Sequence, residues 1–588
     1  MVVEWSMSTP PAQWSANAQQ LWHAMRTGAA LDLAASAPGS TNRASRSSSR
    51  EIAAETIARL LLQPPSPEPG VVSQLHLIGA TITGKLHLPY ATVEIPVALV
   101  DCRFEAAVEL NDASLRAVDL SGSSLPGLNG DRLRIEGDLA LVRTVSGAIS
   151  LFRADVAGDV WLSGAKITGE GADYALRAPQ MRIGGGLYAE SVHALGGLNL
   201  WGSQAFTVEV TNGRLSHATH AALRCDGLHL AQDLRCTGVS VDGGGVSLFG
   251  ATIGGQCWFN HAEIRNDTGW AIAAPSVRIG GGFYGRSMAV HGGINLFAAA
   301  IGESLELSGS TLISHDHPAL RASGARVEAN LELRSGAVIA GCVSLSRAEI
   351  KGTLRLSDSA FTDTSAIDLQ GATVGTLDMA SLHTLPRSLD LGAASIGRID
   401  DSPGSWPGRI ELDRLAYQDL RPVLPADQRL AWLDRSEGYN PQPYERLAAH
   451  YRELGHDDDA RSVQLARHRK RRGASRPPAR VWGFFEDLTV GYGYRPGRAL
   501  LSLLTLTSLI SVIFAAVPPQ PASSRGPDFQ PTAYALDLIL PVLDLGQEKA
   551  FIPTGSTSWV AWASAMAGWL LATTVIAGLT RRLSRTGH

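Results

Sequence analysis

The residues of this chain that could do chemistry are few and scattered. Gly280-Gly-Gly-Phe-Tyr-Gly285 spells G-x-G-x-x-G. That pattern cradles a dinucleotide only between a strand and a helix, where backbone N–H groups and the helix N-terminus meet a pyrophosphate. Here it lies inside a series of strand-like phrases, and the matching stretch Gly184–Ala189 lacks the final Gly, so it reads as a chain corner. His315-Asp-His317 and the pair His217 and His220 carry metal-ligand types, but no Cys or carboxylate stands at matching spacing on a neighbouring repeat. They read as surface loops, and no metal site is expected. Thr489-Val-Gly-Tyr-Gly493 spells a potassium-filter sequence. A filter sits between two membrane spans in a fourfold assembly; this one precedes both apolar runs described below and reads as a turn.

Five cysteines, Cys102, Cys225, Cys236, Cys257 and Cys342, form no C-x-x-C pair. An odd, dispersed set points to a reducing compartment and away from a disulfide framework or zinc site. The remaining candidate is a ladder of polar residues: Ser150, Asn199, Ser247, Asn295, Ser344 and Asp390. Ser and Asn supply no general acid, and hydrogen bonds between stacked strands account for such a ladder. No catalytic residue, cofactor-binding residue or cofactor is assigned.

The element that must carry these residues is a repeat. The phrase around the ladder recurs as Ile149-Ser-Leu, Leu198-Asn-Leu, Val246-Ser-Leu, Ile294-Asn-Leu, Val343-Ser-Leu and Leu389-Asp-Leu, at intervals of 49, 48, 48, 49 and 46 residues. Apolar and polar residues alternate within each phrase, which is a strand pattern. A Gly or small polar residue closes each one, as a tight corner needs. A fixed period of short strands and corners predicts a β-solenoid over residues 71–401, with two coils per 48-residue unit and inward Leu, Ile, Val and Ala stacking from coil to coil. Helices over residues 11–26 and 48–63 are expected to cap its first coil within an N-terminal segment 1–70, the second opening on a capping box at Ser48–Glu51.

Beyond Asp401 the pattern changes. Helices near 426–436, 441–454 and 457–472 predict a hairpin or small bundle, the last ending on the basic run Arg467–Arg472, in a segment 402–480. Residues 499–517 and 559–579 carry no charge. Their lengths suit the hydrocarbon thickness of a bilayer, and basic residues stand before the first and after the second. The expectation is a membrane domain over 481–588 with two transmembrane helices, both termini in the cytoplasm, and the solenoid in the cytoplasm. The small-residue stripe Ser564, Gly568 and Ala572 suits helix packing, and Tyr534–Leu545, with Asp537 and Asp544, suits a re-entrant or interfacial segment. No signal peptide is expected in Met1–Gly28, which has no apolar core. The net charge of −4 over 588 residues gives no reason to expect a nucleic-acid partner.

This layout resembles a group of actinobacterial, pentapeptide-repeat-like β-solenoid membrane proteins. The likeness rests on the hairpin Tyr444–Arg472, the turn Gly491-Tyr-Gly-Tyr-Arg-Pro496, and the stretches Leu540-Pro-Val-Leu-Asp-Leu-Gly546 and Gly568-Trp-Leu-Leu-Ala572. Such proteins are often labelled membrane-associated oxidoreductases, which the resemblance alone implies. The reading from the residues is a mainly β scaffold: a helix-capped cytoplasmic β-solenoid anchored in a lipid bilayer, presenting its rod to a cytoplasmic protein, with homo-oligomers formed through the two spans. A two-span channel or sensor is the remaining alternative.

Overall fold

The computed structural model describes residues 9–35, 50–169, 173–473, 496–523, 527–540 and 543–583. Thr489–Gly493, the turn Gly491–Arg495, Ser48 and Ser49 of the capping box, and the basic residues Arg476 and Arg480 lie outside them. The chain divides into two units, Met1–Val423 and Leu424–His588.

The first unit is a parallel β-solenoid of about fifteen turns. At a strand spacing of about 4.8 Å, that is a rod on the order of 70 Å long. Each coil has four short strands, and the coil from Arg134 shows the rule. Arg134–Ile135, Leu139–Ala140, Val145–Ser146 and Ile149–Ser150 each turn one corner from the last. We call the four resulting columns faces A, B, C and D. Within every two-residue strand one side chain points in and the next out. On face D the inward residues Ile149, Leu176, Leu198, Leu223, Val246, Ile272, Ile294 and Leu320 pair in register from coil to coil. All are essentially inaccessible to solvent. A coil buries its apolar row only against its neighbours, so stability is spread along the rod as nearest-neighbour contacts.

The register explains the repeat period. Successive coils measured at those inward residues take 27, 22, 25, 23, 26, 22 and 26 residues. A unit of about 48 is therefore one long coil plus one short coil. In the long coils that start at Leu198, Val246 and Ile294 the added residues form a loop just before face D. Near the C-terminal end the corner between faces A and B straightens, and Glu349–Arg355, Thr373–Asp378, Ser395–Asp400 and Ala416–Arg421 run through both. The solenoid thus continues to Arg421, past the expected end at Asp401.

The N-terminal end is closed from within the chain. Helix α1 (Ala16–Thr27) and helix α2 (Ala54–Leu62) bury Leu21, Trp22, Met25, Ile57 and Leu60. Leu31–Asp32 pairs with Leu77–Ile78, and Glu51–Ala53 pairs with Thr81–Thr83. Glu51 therefore belongs to a strand and not to the first turn of a helix, because the exposed edge of the first coil offers those backbone groups ready partners.

The second unit is helical. Helices α3 (Ala426–Leu433), α4 (Pro441–Glu453) and α5 (Asp457–Gly473) form one group, with Leu447, Tyr451 and Val463 buried. Part of the basic run is neutralised locally, by Arg467–Glu445 and Lys470–Asp434 pairs. Helices α6 (Pro496–Ala516), α7 (Pro531–Ile539), α8 (Gln547–Ala550) and α9 (Ser556–Leu583) follow.

The expected membrane spans at 499–517 and 559–579 are corrected by the structure. Among the described residues no helix is long and apolar enough to cross a membrane. Absence of charge is a weaker property than sustained apolarity. The first run carries Thr505, Thr507, Ser508 and Ser511, each bonded back to a carbonyl one turn earlier. The second is rich in Ser, Thr, Gly and Ala. Their apolar residues instead form a local core of Ile510, Phe514, Tyr534, Ala535, Leu538, Ile539, Phe551 and Ala561. The small residue Gly568 lets α9 approach α7: a Cβ there would meet the Ile539 carbonyl oxygen at 2.3 Å. Asp537, nearly inaccessible, accepts from the Leu545 and Glu548 amides at 2.8 and 2.9 Å. It ties the segment after α7 into place, so neither a re-entrant nor an ion-binding role is needed to explain it.

Candidate binding face

The sequence candidates for chemistry separate in space. Gly282 of the G-x-G-x-x-G run lies under the Tyr284 ring, where a Cβ would meet ring carbons at 2.6–2.7 Å. Phe283–Tyr284 is a strand of face B followed by another strand, not by a helix. His217 has both ring nitrogens occupied. Nε2 donates to the Asp173 carbonyl at 2.7 Å, and Nδ1 accepts from the amides of Thr219 and His220 at 3.1 and 2.9 Å. His317 stacks on Trp270 with ring centroids 4.8 Å apart. No group of three or more His, Cys, Asp or Glu able to hold a metal occurs among the described residues. Cys102, Cys225, Cys236 and Cys257 are buried free thiols and Cys342 is an exposed one. Burial pushes Cys102 up to about 11 and raises Cys225, Cys236 and Cys257 well above the ordinary thiol range, the opposite of an activated nucleophile. Burial also raises the Asp400 carboxyl, against the pull of Arg398.

What the structure does bring together is a row beside the polar ladder. Each face D strand leads into a corner that turns the chain toward face A. At the coil from Ile149 the corner is Leu151-Phe-Arg-Ala154, closed by the Ala154 amide donating to the Leu151 carbonyl at 3.1 Å, with Arg153 at φ 54°. A positive φ at the third residue is the mark of a type II turn, in which Pro suits the second. Pro179 and Pro275 hold that second position in two short coils. In the long coils it is aromatic: Phe152, Trp201, Phe249 and Phe297, at intervals of 49, 48 and 48 residues. Backbone bonds align the corners in one line, with the Arg153 amide donating to Pro179, Gln180 to Trp201, Gly202 to Asp226, Gly227 to Phe249, Gly250 to Pro275 and Ser276 to Phe297. Four aromatic side chains therefore stand on one edge of face D, about 9–10 Å apart, two strand spacings each.

These side chains are exposed although apolar: Trp201 by 43%, Phe249 by 59% and Phe297 by 42%, with Phe152 half-buried. Each is held by its own amide. Trp201 and Phe297 donate to Asn199 and Asn295 Oδ1 at 3.0 Å. Phe152 and Phe249 donate to Asp131 and Asp226 Oδ1, one coil earlier, at 3.1 and 3.2 Å. The same carboxylate oxygens accept from Ser150 and Ser247. Ser150, Asn199, Ser247 and Asn295 of the polar ladder, with the two aspartates, thus fix the aromatic corners.

Arginines complete the surface. Arg177 donates to Ser150 Oγ at 3.0 Å, lies 3.5 Å from Asp131, and sets its guanidinium 5.1 Å from the Phe152 ring centroid. Arg224 pairs with Asp226 at 2.9 Å, and Arg321 lies 4.7 Å from the Phe297 centroid. The opposite edge of face D is bordered by the long-coil loops with Tyr174, His217, Trp270 and His317. Two depressions open there. One, of about 290 Å³, is lined by Asn129, Ser150, Asp173, Tyr174 and Arg177. The other, of about 210 Å³, is lined by Asn266, Asp267, His291, His315 and His317. Sequence reasoning finds the ladder but misses the aromatic row two residues further on; its period is the signal that could have found it.

The fold and this face define a β-solenoid repeat protein with one decorated side. No family model, no curated protein and no solved structure matches the chain.

Proposed function

We propose that this chain is a non-catalytic interaction scaffold, whose solenoid presents face D to an extended partner. The observation that carries the reading is the aromatic row: three exposed rings and the half-buried Phe152 at a constant two-coil interval, each with its backbone amide tied down. Exposed aromatics cost free energy where they serve no contact, and a rigid, pre-positioned row loses little entropy on binding. The test compares wild type with W201A/F249A/F297A by co-purification from the producing cell, together with absorbance spectra. A defined component retained by wild type and lost in the variant, from colourless protein, supports the scaffold. Identical components with both, or a chromophore at about one per chain, overturns it.

A second copy of the chain is the proposed partner of the helical unit. Leu501, Leu504 and Val512 of α6, and Trp559, Trp562, Met566 and Trp569 of α9, are exposed. Identical copies offer each other the same apolar side chains, as symmetric interfaces require. The native mass of the purified protein should exceed that of one chain and fall to it in W562E/M566E; a wild-type monomer refutes the assignment.

A further inference from the structure

Face D has the features of a site for a linear, uncharged glycan, and three observations point there. The first is spacing. Rings about 9–10 Å apart do not match a peptide strand, whose like-facing side chains recur at about 6.6–6.8 Å. They suit a polymer with a longer stacking interval: an extended β-linked glycan, in which alternate sugars turn over and every second unit presents the same ring face. The second is charge. Arg177 and Arg224 are each paired with an aspartate of the corner row, while Arg153 and Arg321 lie against the Phe152 and Phe297 rings. A single-stranded nucleic acid requires a net positive track along its backbone, and here half of these arginines are compensated within the site. Arg–Asp pairs flanked by Asn and Ser instead offer both donors and acceptors to hydroxyl groups, beside aromatic faces for the apolar side of a sugar ring. The third is a seat beside the row. The 290 Å³ depression is lined by Asn129, Ser150, Asp173, Tyr174 and Arg177. These polar groups offer donors and acceptors to the hydroxyls of one sugar unit.

We propose that face D binds an extended β-1,4-linked neutral glycan along the solenoid axis, with its sugars stacked on Phe152, Trp201, Phe249 and Phe297 and one unit seated beside Tyr174, Ser150 and Arg177. This rests on the scaffold reading and names the partner's chemistry.

The experiment is calorimetric titration of the full-length protein with cellohexaose and chitohexaose, using maltohexaose and a thymidine oligonucleotide as comparisons. The variants are W201A/F249A and R177A, with unchanged thermal unfolding confirming that each is folded. One of the two β-linked hexasaccharides should bind wild type more tightly than either comparison polymer. W201A/F249A should weaken it by at least about tenfold, as the loss of two stacking contacts of this kind implies. R177A should weaken it by a smaller factor. No binding of either β-linked hexasaccharide, equal binding to W201A/F249A, or preference for maltohexaose or the oligonucleotide would overturn the proposal. If the hexasaccharides fail while W201A/F249A/F297A still loses its co-purified component, the glycan falls and the scaffold stands.

Discussion

Asp226 is the joint on which the Phe249 corner turns, and Asp226→Ala isolates what that joint contributes. One carboxylate oxygen accepts from the Phe249 amide at 3.2 Å and from the Ser247 hydroxyl, while the other holds Arg224 Nε at 2.9 Å. A net hydrogen bond is worth about 1 kcal/mol. The Arg224 pair is worth less than about 1 kcal/mol, because the arginine side chain is 41% exposed and screened by water. Water can also reach the freed Ser247 and Phe249 groups. The three contacts together should therefore contribute about 2 kcal/mol to holding the corner closed. In a solenoid such a loss stays close to its coil. The assay is native-state hydrogen exchange read at single amides. A local opening cheaper by about 2 kcal/mol should exchange the Phe249 amide roughly thirtyfold faster. Amides four or more coils away should be unchanged. Asp226→Asn keeps an acceptor oxygen and should show a smaller acceleration. An unaltered Phe249 rate in Asp226→Ala would refute the claim that ladder residues position the aromatic row.

Gly282→Ala should displace the Tyr284 ring, since the new methyl would sit 2.6–2.7 Å from it. That disrupts the Trp258–Tyr284 stack, whose centroids are 4.6 Å apart, so near-UV circular dichroism should fall and stability drop by about 1–3 kcal/mol; an unchanged spectrum would count against the packing role of this glycine. Under native conditions a maleimide should label one thiol per chain, at Cys342, and the four buried thiols only after unfolding; rapid modification of Cys225, Cys236 or Cys257 would show that the core is open. Asp400→Asn should stabilise the protein at neutral pH. Burial raises the folded pKa of Asp400 above the ordinary carboxylate value, so the ionised carboxylate opposes folding. Lowering the pH through the folded value protonates Asp400 and relieves that cost. The advantage of the variant should therefore shrink on acidification, and a gap that widens at low pH would reverse the assignment.

Much of the solenoid is legible in the residues because its information is local. Alternation sets the two-residue strands, small or polar residues mark the corners, and the recurring Ile149, Leu198, Val246 and Ile294 phrases give the coil pair. The C-terminal runs mislead for an equally physical reason. A lack of charge counts the costliest groups only, whereas spanning hydrocarbon demands an almost unbroken apolar surface. Thr505, Thr507, Ser508 and Ser511 of α6 do not enter that count, and neither does the ring contact of Phe514 with Tyr534.

The residues alone therefore determined the period, the inward rows and the ladder of Ser and Asn, since each depends on positions a few residues apart. Only the tertiary structure decided what that ladder does. Phe152 meets Asp131 and Phe249 meets Asp226 across a coil boundary, at separations of 21 and 23 residues, and Tyr174 shares its depression with Asn129 and Ser150 of preceding coils. The alternation of long and short coils sets both separations. It determines which aspartate reaches which amide, and so turns a periodic sequence into a row of held aromatic side chains.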